Sequence, residues 1–447
     1  MIQKITISNY YSIREPLEVS FEASKEKMYG EDWIVQKGNV KLLKGLLLYG
    51  ANGSGKSNIL GALDFLRSLL VYVPKDVDAK LPYIQFALDP HSSEKDTEFT
   101  LYFFIGETRY YYHVTLNPQR ILSEELRIYH NGNNSRAIYT RTYKPERGIN
   151  DVRFGTWLNL SQKDRQTLVN STTANVTVLS VFATKNIACE ELKVVRNYFK
   201  NEFFRVYCIQ DSEPEVAKDI KESPELKILL VEMLKSFHSN IVDIKVEEEV
   251  LPVPEQARQL ILQMDLTEEE KANLMKMSTI ANLKGQYIHK TELGKFSLED
   301  RLQSEGTRTF INYLVLFYKA IQNNWLVALD EFGEGMQAKS QNLLLNFFLK
   351  FSQGAQLILA TQSLGLLDNE MMRRDAIHIV YKDELGQTHI DAKTVRSIHR
   401  TTKLRKAYIE GKFTTIDPNE PDIDLDNEYA KYQSLIFGQT GKEVLVK

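Results

Sequence analysis

The sequence predicts an α/β fold: a parallel sheet interleaved with helices, an antiparallel β-meander, and an inserted helical subdomain. Three observations carry that reading. Residues 42–49, 325–329 and 356–360 are short continuous apolar runs, as strands buried on both faces are. Residues 58–70, 307–321 and 342–351 show helical apolar spacing, and strands alternating with helices imply a parallel sheet. Aromatic and β-branched runs between residues 99 and 143, separated by short turns, predict the meander.

The elements follow in order. Residues 1–22 read as a hairpin, with Ile5 and Ile7 alternating, then Leu17, Val19 and Phe21 after Pro16. The run 42–49 leads into a glycine-rich loop and then a helix with Ile59, Leu60, Leu63, Leu66, Leu69 and Leu70 on one face. Phe99-Thr-Leu-Tyr-Phe-Phe104 and Arg109-Tyr-Tyr-Tyr-His-Val-Thr-Leu116 are strands around Gly106-Glu-Thr108, and polar, turn-rich sequence at 131–150 closes the meander. Residues 185–295 read as mainly helical and charged, interrupted by Leu251-Pro-Val-Pro254, with a capping-box start at Thr267-Glu-Glu-Glu270. The α/β pattern resumes after Ser297. Helix 307–321 carries apolar residues at Phe310, Ile311, Leu314, Val315 and Phe317, and strand 325–329 ends in Asp330-Glu331. The last stretch is charged and weakly patterned. The expected division is an N-terminal lobe at 1–184, the helical insertion at 185–295, a C-terminal lobe at 296–395 and an extension at 396–447.

Composition narrows the classes. The chain has 447 residues, 43% hydrophobic and 26% charged, as an ordinary globular protein does. Its 56 Lys and Arg against 59 Asp and Glu leave a net charge of −3, which excludes a strongly basic nucleic-acid coat. Two cysteines, Cys189 and Cys208, make no disulfide framework or zinc cluster. No basic-then-apolar leader opens the sequence, and no window approaches ~18 consecutive apolar residues. The expectation is a cytoplasmic protein with no membrane partner.

Four segments carry chemistry. Gly50-Ala51-Asn52-Gly53-Ser54-Gly55-Lys56-Ser57 matches GxxxxGK[ST] in full, and Asn58 follows it. Its glycines let the backbone approach phosphate oxygens, and the following helix aims its positive end at the same anions. Lys56 is expected to reach the β- and γ-phosphates and Ser57 to hold Mg²⁺. Asp330 and Glu331 close the second buried strand. An aspartate there can hold the Mg²⁺ and the glutamate can polarise an attacking water; an acidic strand cap facing solvent is the bland alternative. Ser304-Glu305-Gly306 precedes a helix, as an anion site or an ordinary N-cap. Thr361-Gln362-Ser363 follows the next strand, at the crevice edge where ligands bind or as a plain turn.

In this order the motifs resemble the heads of soluble ATP-binding-cassette-type ATPases, RecF-like and SMC-like. The resemblance identifies residues 50–57 as Walker A, Leu302-Gln303-Ser304-Glu305-Gly306 as the signature, residues 326–331 as Walker B with the catalytic glutamate, and 361–363 as the switch. Ile7-Ser-Asn-Tyr-Tyr-Ser-Ile13, Ile121-Leu-Ser-Glu-Glu-Leu126 and Arg405-Lys-Ala-Tyr-Ile-Glu-Gly411 look like elements of bacterial abortive-infection ATPases, RloA-like and AbiLi-like. The resemblance covers most of the chain outside the middle insert.

It implies a P-loop NTPase with an ABC-ATPase-like head that binds and hydrolyses ATP with Mg²⁺. Each nucleotide would sit between two copies, on one Walker A and beneath the other copy's signature. It implies a regulatory subunit of an anti-phage system controlling a separately encoded effector, a nuclease of RloB or TOPRIM type. The alternative is a RecF-like DNA-repair or chromosome-maintenance ATPase. Gln362 stands where the family usually has histidine; glutamine can hydrogen-bond the γ-phosphate and water but takes no positive charge, so slow hydrolysis is expected. Phe332-Gly-Glu-Gly-Met-Gln337 departs from the usual dimer-facing loop. Gln85 lies where a Q-loop Mg²⁺ ligand sits, or is an ordinary polar strand residue. Nucleic acid is a possible partner. Tyr110, Tyr111 and Tyr112 can stack on bases or pack across strands, and Lys403, Arg405, Lys406 and Lys412 can touch phosphates or face solvent.

Overall fold

The computed structural model describes residues 1–26, 30–76, 78–130, 134–207, 213–237, 239–253, 279–398, 402–410 and 412–413, with Glu255, Gln259, Lys271 and Met275. Its centre is a six-stranded sheet. In spatial order the strands are β11 (Phe203–Tyr207), β15 (Leu326–Leu329), β16 (Gln356–Thr361), β5 (Gly45–Tyr49), β17 (Ile377–Lys382) and β18 (Thr388–Asp391). All neighbours pair in parallel except β17 with β18. Every residue of β5, β15 and β16 is buried, which is why these strands read as unbroken apolar runs rather than alternating ones.

A seven-stranded antiparallel sheet lies beside it. Its order is β10 (Ile149–Phe154), β9 (Asn134–Lys144), β8 (Arg120–His130), β7 (Thr108–Asn117), β6 (Thr97–Ile105), β1 (Ile2–Ser8), β2 (Leu17–Ser20). The hairpin 1–22 is therefore part of the meander. Helix α2 (Lys56–Val71) joins the two layers. It packs on β11, and its Phe65 meets Tyr10, Tyr83 and Phe99 at ring separations of 5.7, 5.1 and 5.6 Å. Gln356, 1% exposed, stitches the sheets directly. Its Oε1 accepts from the Ile2 N–H at 2.6 Å, and its Nε2 donates to the Ile2 and Leu43 carbonyls.

A buried carboxyl anchors the meander. Glu124 accepts from Tyr139 Oη at 2.5 Å, Tyr112 Oη at 3.2 Å and the Val178 N–H at 3.1 Å. Arg141 lies 3.8 Å away and donates to the Val176 and Thr173 carbonyls. Burial pushes the Glu124 carboxyl up, against the pull of Arg141 and its hydrogen bonds. The helix tied here, α4 (Val178–Phe182), touches α2, so the cluster sets the meander against the loop-bearing helix.

Two expectations need correction. Residues 131–150 are not mainly turn: β9 occupies 134–144 and pairs with both neighbours; its buried residues are Ile138, Tyr139 and Arg141, with adjacent Ile138 and Tyr139 at a register shift, so no clean alternation marks the strand in the sequence. Among its described residues, the segment 185–295 is not mainly helical. Helices α5 (Glu190–Asn197), α6 (Glu213–Glu222) and α7 (Pro224–Lys235) are followed by an antiparallel sheet of β12 (Ile241–Pro252), β13 (Thr279–Thr291) and β14 (Gly294–Glu299). The Glu-rich part of β12 has good helix propensity, but strand pairing overrides it, with Lys284–Glu249 at 2.6 Å as one cross-strand ion pair. Pro252 ends this edge strand, where no ladder N–H is needed. The central sheet draws on every expected division up to residue 395: β11 pairs with β15, and β5 pairs with β16 and β17. The capping box at 267–270 falls outside the described residues.

The candidate nucleic-acid residues take their packing roles. Tyr110 and Tyr112 are buried, and Tyr111 faces outward against Tyr102. On that outer face Lys4 pairs with Glu18, Arg127 with Glu125 and Arg153 with Asp151. In the C-terminal element Arg405 pairs with Asp368, and Lys406 and Lys412 with Glu410; Tyr408 packs on Tyr49.

Candidate functional site

The loop 50–57 connects the buried strand β5 to α2, as its spacing requires. Two of its glycines are dictated by geometry. A Cβ at Gly50 would stand 2.2 Å from the Val380 carbonyl oxygen. Gly55 adopts φ +104°, and a Cβ there would stand 2.0 Å from Thr388 Oγ1; this left-handed conformation favours glycine. Gly55 caps α2 without a side-chain hydrogen bond. The helix therefore presents its N-terminal N–H groups and dipole to whatever lies over the loop, which suits an anion. Asn52, Gly53 and Ser57 are exposed, and Ser54 is buried.

Behind the loop runs a directed chain of hydrogen bonds. Thr388 Oγ1 donates to the Ser54 carbonyl at 3.2 Å, which uses its only proton. Ser12 Oγ, 2.7 Å away, must then donate to Thr388, and Asn58 Nδ2 donates to Ser12 at 2.5 Å. Two distant segments, at Ser12 and Thr388, thus brace the loop and the start of its helix. Ser12 and Thr388 were not picked out from the sequence as site residues, since a lone serine or threonine carries no periodic signal. The matching GxxxxGK[ST] loop was the only clue to what they hold.

Lys56 Nζ donates to the Gly50 and Ala51 carbonyls at 2.7 and 2.9 Å. Burial lowers its pKa, while the charges of Asp330 and Glu331 raise it. Strands β5 and β15 flank β16 in parallel, so the loop and the end of β15 lie at the same edge of the sheet. Asp330 Oδ1 accepts from the Glu331 N–H at 3.1 Å. Glu331 is exposed and sits at φ +54°, a conformation that a non-glycine residue keeps only when its surroundings hold it there. Its carboxyl is raised above the ordinary glutamate value, first by the charge of Glu334 and the hydrogen bond to it, then by desolvation and Asp330; Lys56 opposes. Glu334, quoted in the sequence only as part of an atypical loop, is thus the main influence on Glu331.

Among the described residues no group of three or more His, Cys, Asp or Glu is arranged to hold a metal. The donors suited to Mg²⁺ are the Ser57 hydroxyl and the Asp330 carboxylate, hard oxygen ligands of the kind that complete their shell with phosphates and water.

Helix α8 (Glu305–Asn323) starts at Ser304, whose Oγ accepts from the Thr307 N–H at 3.2 Å. Ser304 and Glu305 are exposed at the tip, and Gly306 lies against the Gly335 carbonyl. The N-cap reading of Ser304 is correct. It does not compete with an anion-binding reading, because the rest of the tip remains exposed. Gln362 is exposed just beyond β16, between Thr361, which donates to the Phe332 carbonyl at 2.8 Å, and Ser363. Gln85 is engaged elsewhere: its Nε2 donates to the Lys95 carbonyl at 2.6 Å.

Residues 46–368 match the family described as AAA domain, putative AbiEii toxin, Type IV TA system. No curated protein sequence matches the chain. Among solved structures it is similar to the SMC head domain from Thermotoga maritima, at 12% identity over 87% of this chain and 98% of that one, with a TM-score of 0.39. A SmcHead bound to the C-winged helix domain of ScpA gives 12% identity over 87% and 96%, with a TM-score of 0.41. The Smc head domain with an extended coiled coil, bound to the C-terminal domain of ScpA derived from Pyrococcus furiosus, gives 11% over 87% and 95%, with a TM-score of 0.38.

Proposed function

The chain belongs to the AAA-domain family described as putative AbiEii toxin of Type IV TA systems, and we propose that it binds ATP on the loop 50–58 and hydrolyses it slowly. One observation carries the reading: β5 and β15 run parallel on either side of β16, so the phosphate loop and the acidic strand end leave the same carboxyl edge of the sheet, where ligands of such sheets bind.

In this reading Gly50, Asn52, Gly53, Ser54, Gly55 and Asn58 shape the cradle, and its backbone N–H groups with the α2 dipole hold the phosphates. Lys56 turns from the Gly50 and Ala51 carbonyls to the β- and γ-phosphates. Ser57 and Asp330 hold Mg²⁺, which when bound neutralises phosphate charge. Glu331 orients the attacking water, and Gln362 hydrogen-bonds the water and γ-phosphate without supplying positive charge. Gln85 is a weaker candidate ligand, since its amide is already engaged. Ser304, Glu305 and Gly306 close over the nucleotide of a second copy. The γ-phosphate then makes the difference in contacts between an open and a closed pair, and the output is conformational.

We further propose that this cycle controls a separately encoded effector of nuclease type in a phage-defence system. The family's toxin–antitoxin description supports a two-component arrangement. Much of the outer face of the meander is ion-paired and the chain carries a net charge of −3, which weighs against the DNA-repair reading.

The test is hydrolysis and nucleotide binding by the purified chain. Lys56→Ala is expected to lose both. Glu331→Gln is expected to keep binding, lose hydrolysis and accumulate an ATP-bound dimer. A Glu331→Gln variant that turns over like the parent removes the catalytic assignment. Co-purification from the native operon, with and without ATP, tests the effector.

A further inference from the structure

The proposed water-orienting Glu331 and the switch Gln362 lie on different loops, after β15 and after β16. A buried amide bonds to both of them. Gln341 lies in the first turn of α9 (Ala338–Phe351) and is 3% exposed. Its Nε2 donates to the Gly333 carbonyl at 2.8 Å and to the Met336 carbonyl at 2.9 Å. Its Oε1 accepts from Ser363 Oγ at 2.6 Å. A primary amide has two N–H donors, and both are spent on the loop that follows Glu331.

The receiving end is equally fixed. Tyr49 Oη donates to the Ser363 carbonyl at 3.0 Å, and the Ser363 N–H donates to Thr361 Oγ1 at 3.0 Å. Thr361 in turn donates to Phe332, the residue after Glu331. The loop 331–336 and the segment 361–363 are therefore one hydrogen-bonded unit with Gln341 at its centre. Such a unit also explains how Glu331 keeps its positive φ.

We propose that Gln341 is a positioning residue, holding the loop that bears Glu331 in register with the segment that bears Gln362, so that both meet the γ-phosphate together. This rests on the roles given to Glu331 and Gln362 above. Neither the loop spacing nor the motif order points to Gln341, which lies on a helix away from the phosphate loop.

The experiment is ATP turnover and ATP affinity for the full chain and for Gln341→Leu, Gln341→Glu, Ser363→Ala and the double variant Gln341→Leu with Ser363→Ala. Gln341→Leu is expected to lower kcat between about tenfold and a hundredfold, the usual effect of misplacing a reacting group by about 1 Å, while ATP affinity stays within about twofold. Gln341→Glu should be at least as slow, because a carboxylate cannot donate to the two carbonyls. Ser363→Ala cuts one arm only and is the variant to rely on if the Gln341 variants fold poorly; it too should lower kcat with affinity kept. The double variant should be no slower than Gln341→Leu, since residues of one unit are not additive. Unchanged kcat in Gln341→Leu and Ser363→Ala overturns the proposal, as does a double variant whose losses multiply. Glu331→Gln in the same assay separates the two readings. If the parent hydrolyses ATP and Glu331→Gln does not, a failed Gln341 series counts against the positioning role alone. A parent without turnover removes both.

Discussion

Replacing Thr388 by valine keeps the volume against Gly55 and removes only the hydroxyl. Thr388 is 1% exposed, so the partners it leaves behind cannot all recover in water. Its loss strands the Ser54 carbonyl, which accepts from Thr388 Oγ1 at 3.2 Å, and deprives Ser12 of its acceptor at 2.7 Å. Ser12 is half-buried and can turn to solvent; the Ser54 carbonyl is the more costly loss. An unsatisfied buried acceptor costs about 1–3 kcal/mol. Taking about 1–2 kcal/mol as falling on the binding-competent loop, ATP affinity should weaken about five- to thirtyfold. The assay is calorimetric titration of ATP, with thermal unfolding beside it. Thr388→Ser keeps the hydroxyl and should bind within about twofold of the parent. If Thr388→Val binds as the parent does, the hydrogen-bond chain from Asn58 through Ser12 does not shape the loop, and the account of these residues fails.

Other outcomes follow from the same structure. Steady-state turnover of the parent should be slow with Gln362 at the switch; hundreds of turnovers per second would contradict that reasoning. Gly50→Ala should abolish ATP binding in the same titration, since its methyl would stand 2.2 Å from the Val380 oxygen. Glu124→Ala should lower stability by about 2–4 kcal/mol in chemical unfolding, because it leaves Arg141 buried without its carboxylate; a change below about 1 kcal/mol would show the cluster to be dispensable. His378 is buried with both ring nitrogens lacking a hydrogen-bond partner, and its pKa is lowered to about 4, first by burial and then by Arg396. Asp375 and Asp391 oppose that shift. The unfolded state then binds the proton more readily, so the contribution is complete above the ordinary histidine value of 6.5 and is lost as pH falls toward about 4. Unfolding midpoints of the parent should fall through this window by on the order of 3 kcal/mol more than those of His378→Leu; parallel curves would refute the assignment.

The structure also shows where local reading stops. The helix 305–323 and the strands around it were legible because each buries a complete apolar face, which leaves a period in the sequence. Strand β12 was not, because only Ile241 and Ile244 of its twelve residues are buried. Its identity comes from pairing with β13, a partner that begins beyond the undescribed stretch.

By itself the sequence determined the loop, the acidic strand end and the serine–glycine helix tip, because each is a short motif whose chemistry is carried by neighbours in the chain. Only the tertiary structure decided that the loop and the acidic strand end share one edge of the sheet, that Thr388 and Ser12 brace the loop, and that Gln341 ties two loops together. Those relations join side chains far apart in the chain. A hydrogen bond across such a distance imposes no spacing and no pattern on the residues between, so it becomes visible only when the sheets bring its ends within about 3 Å.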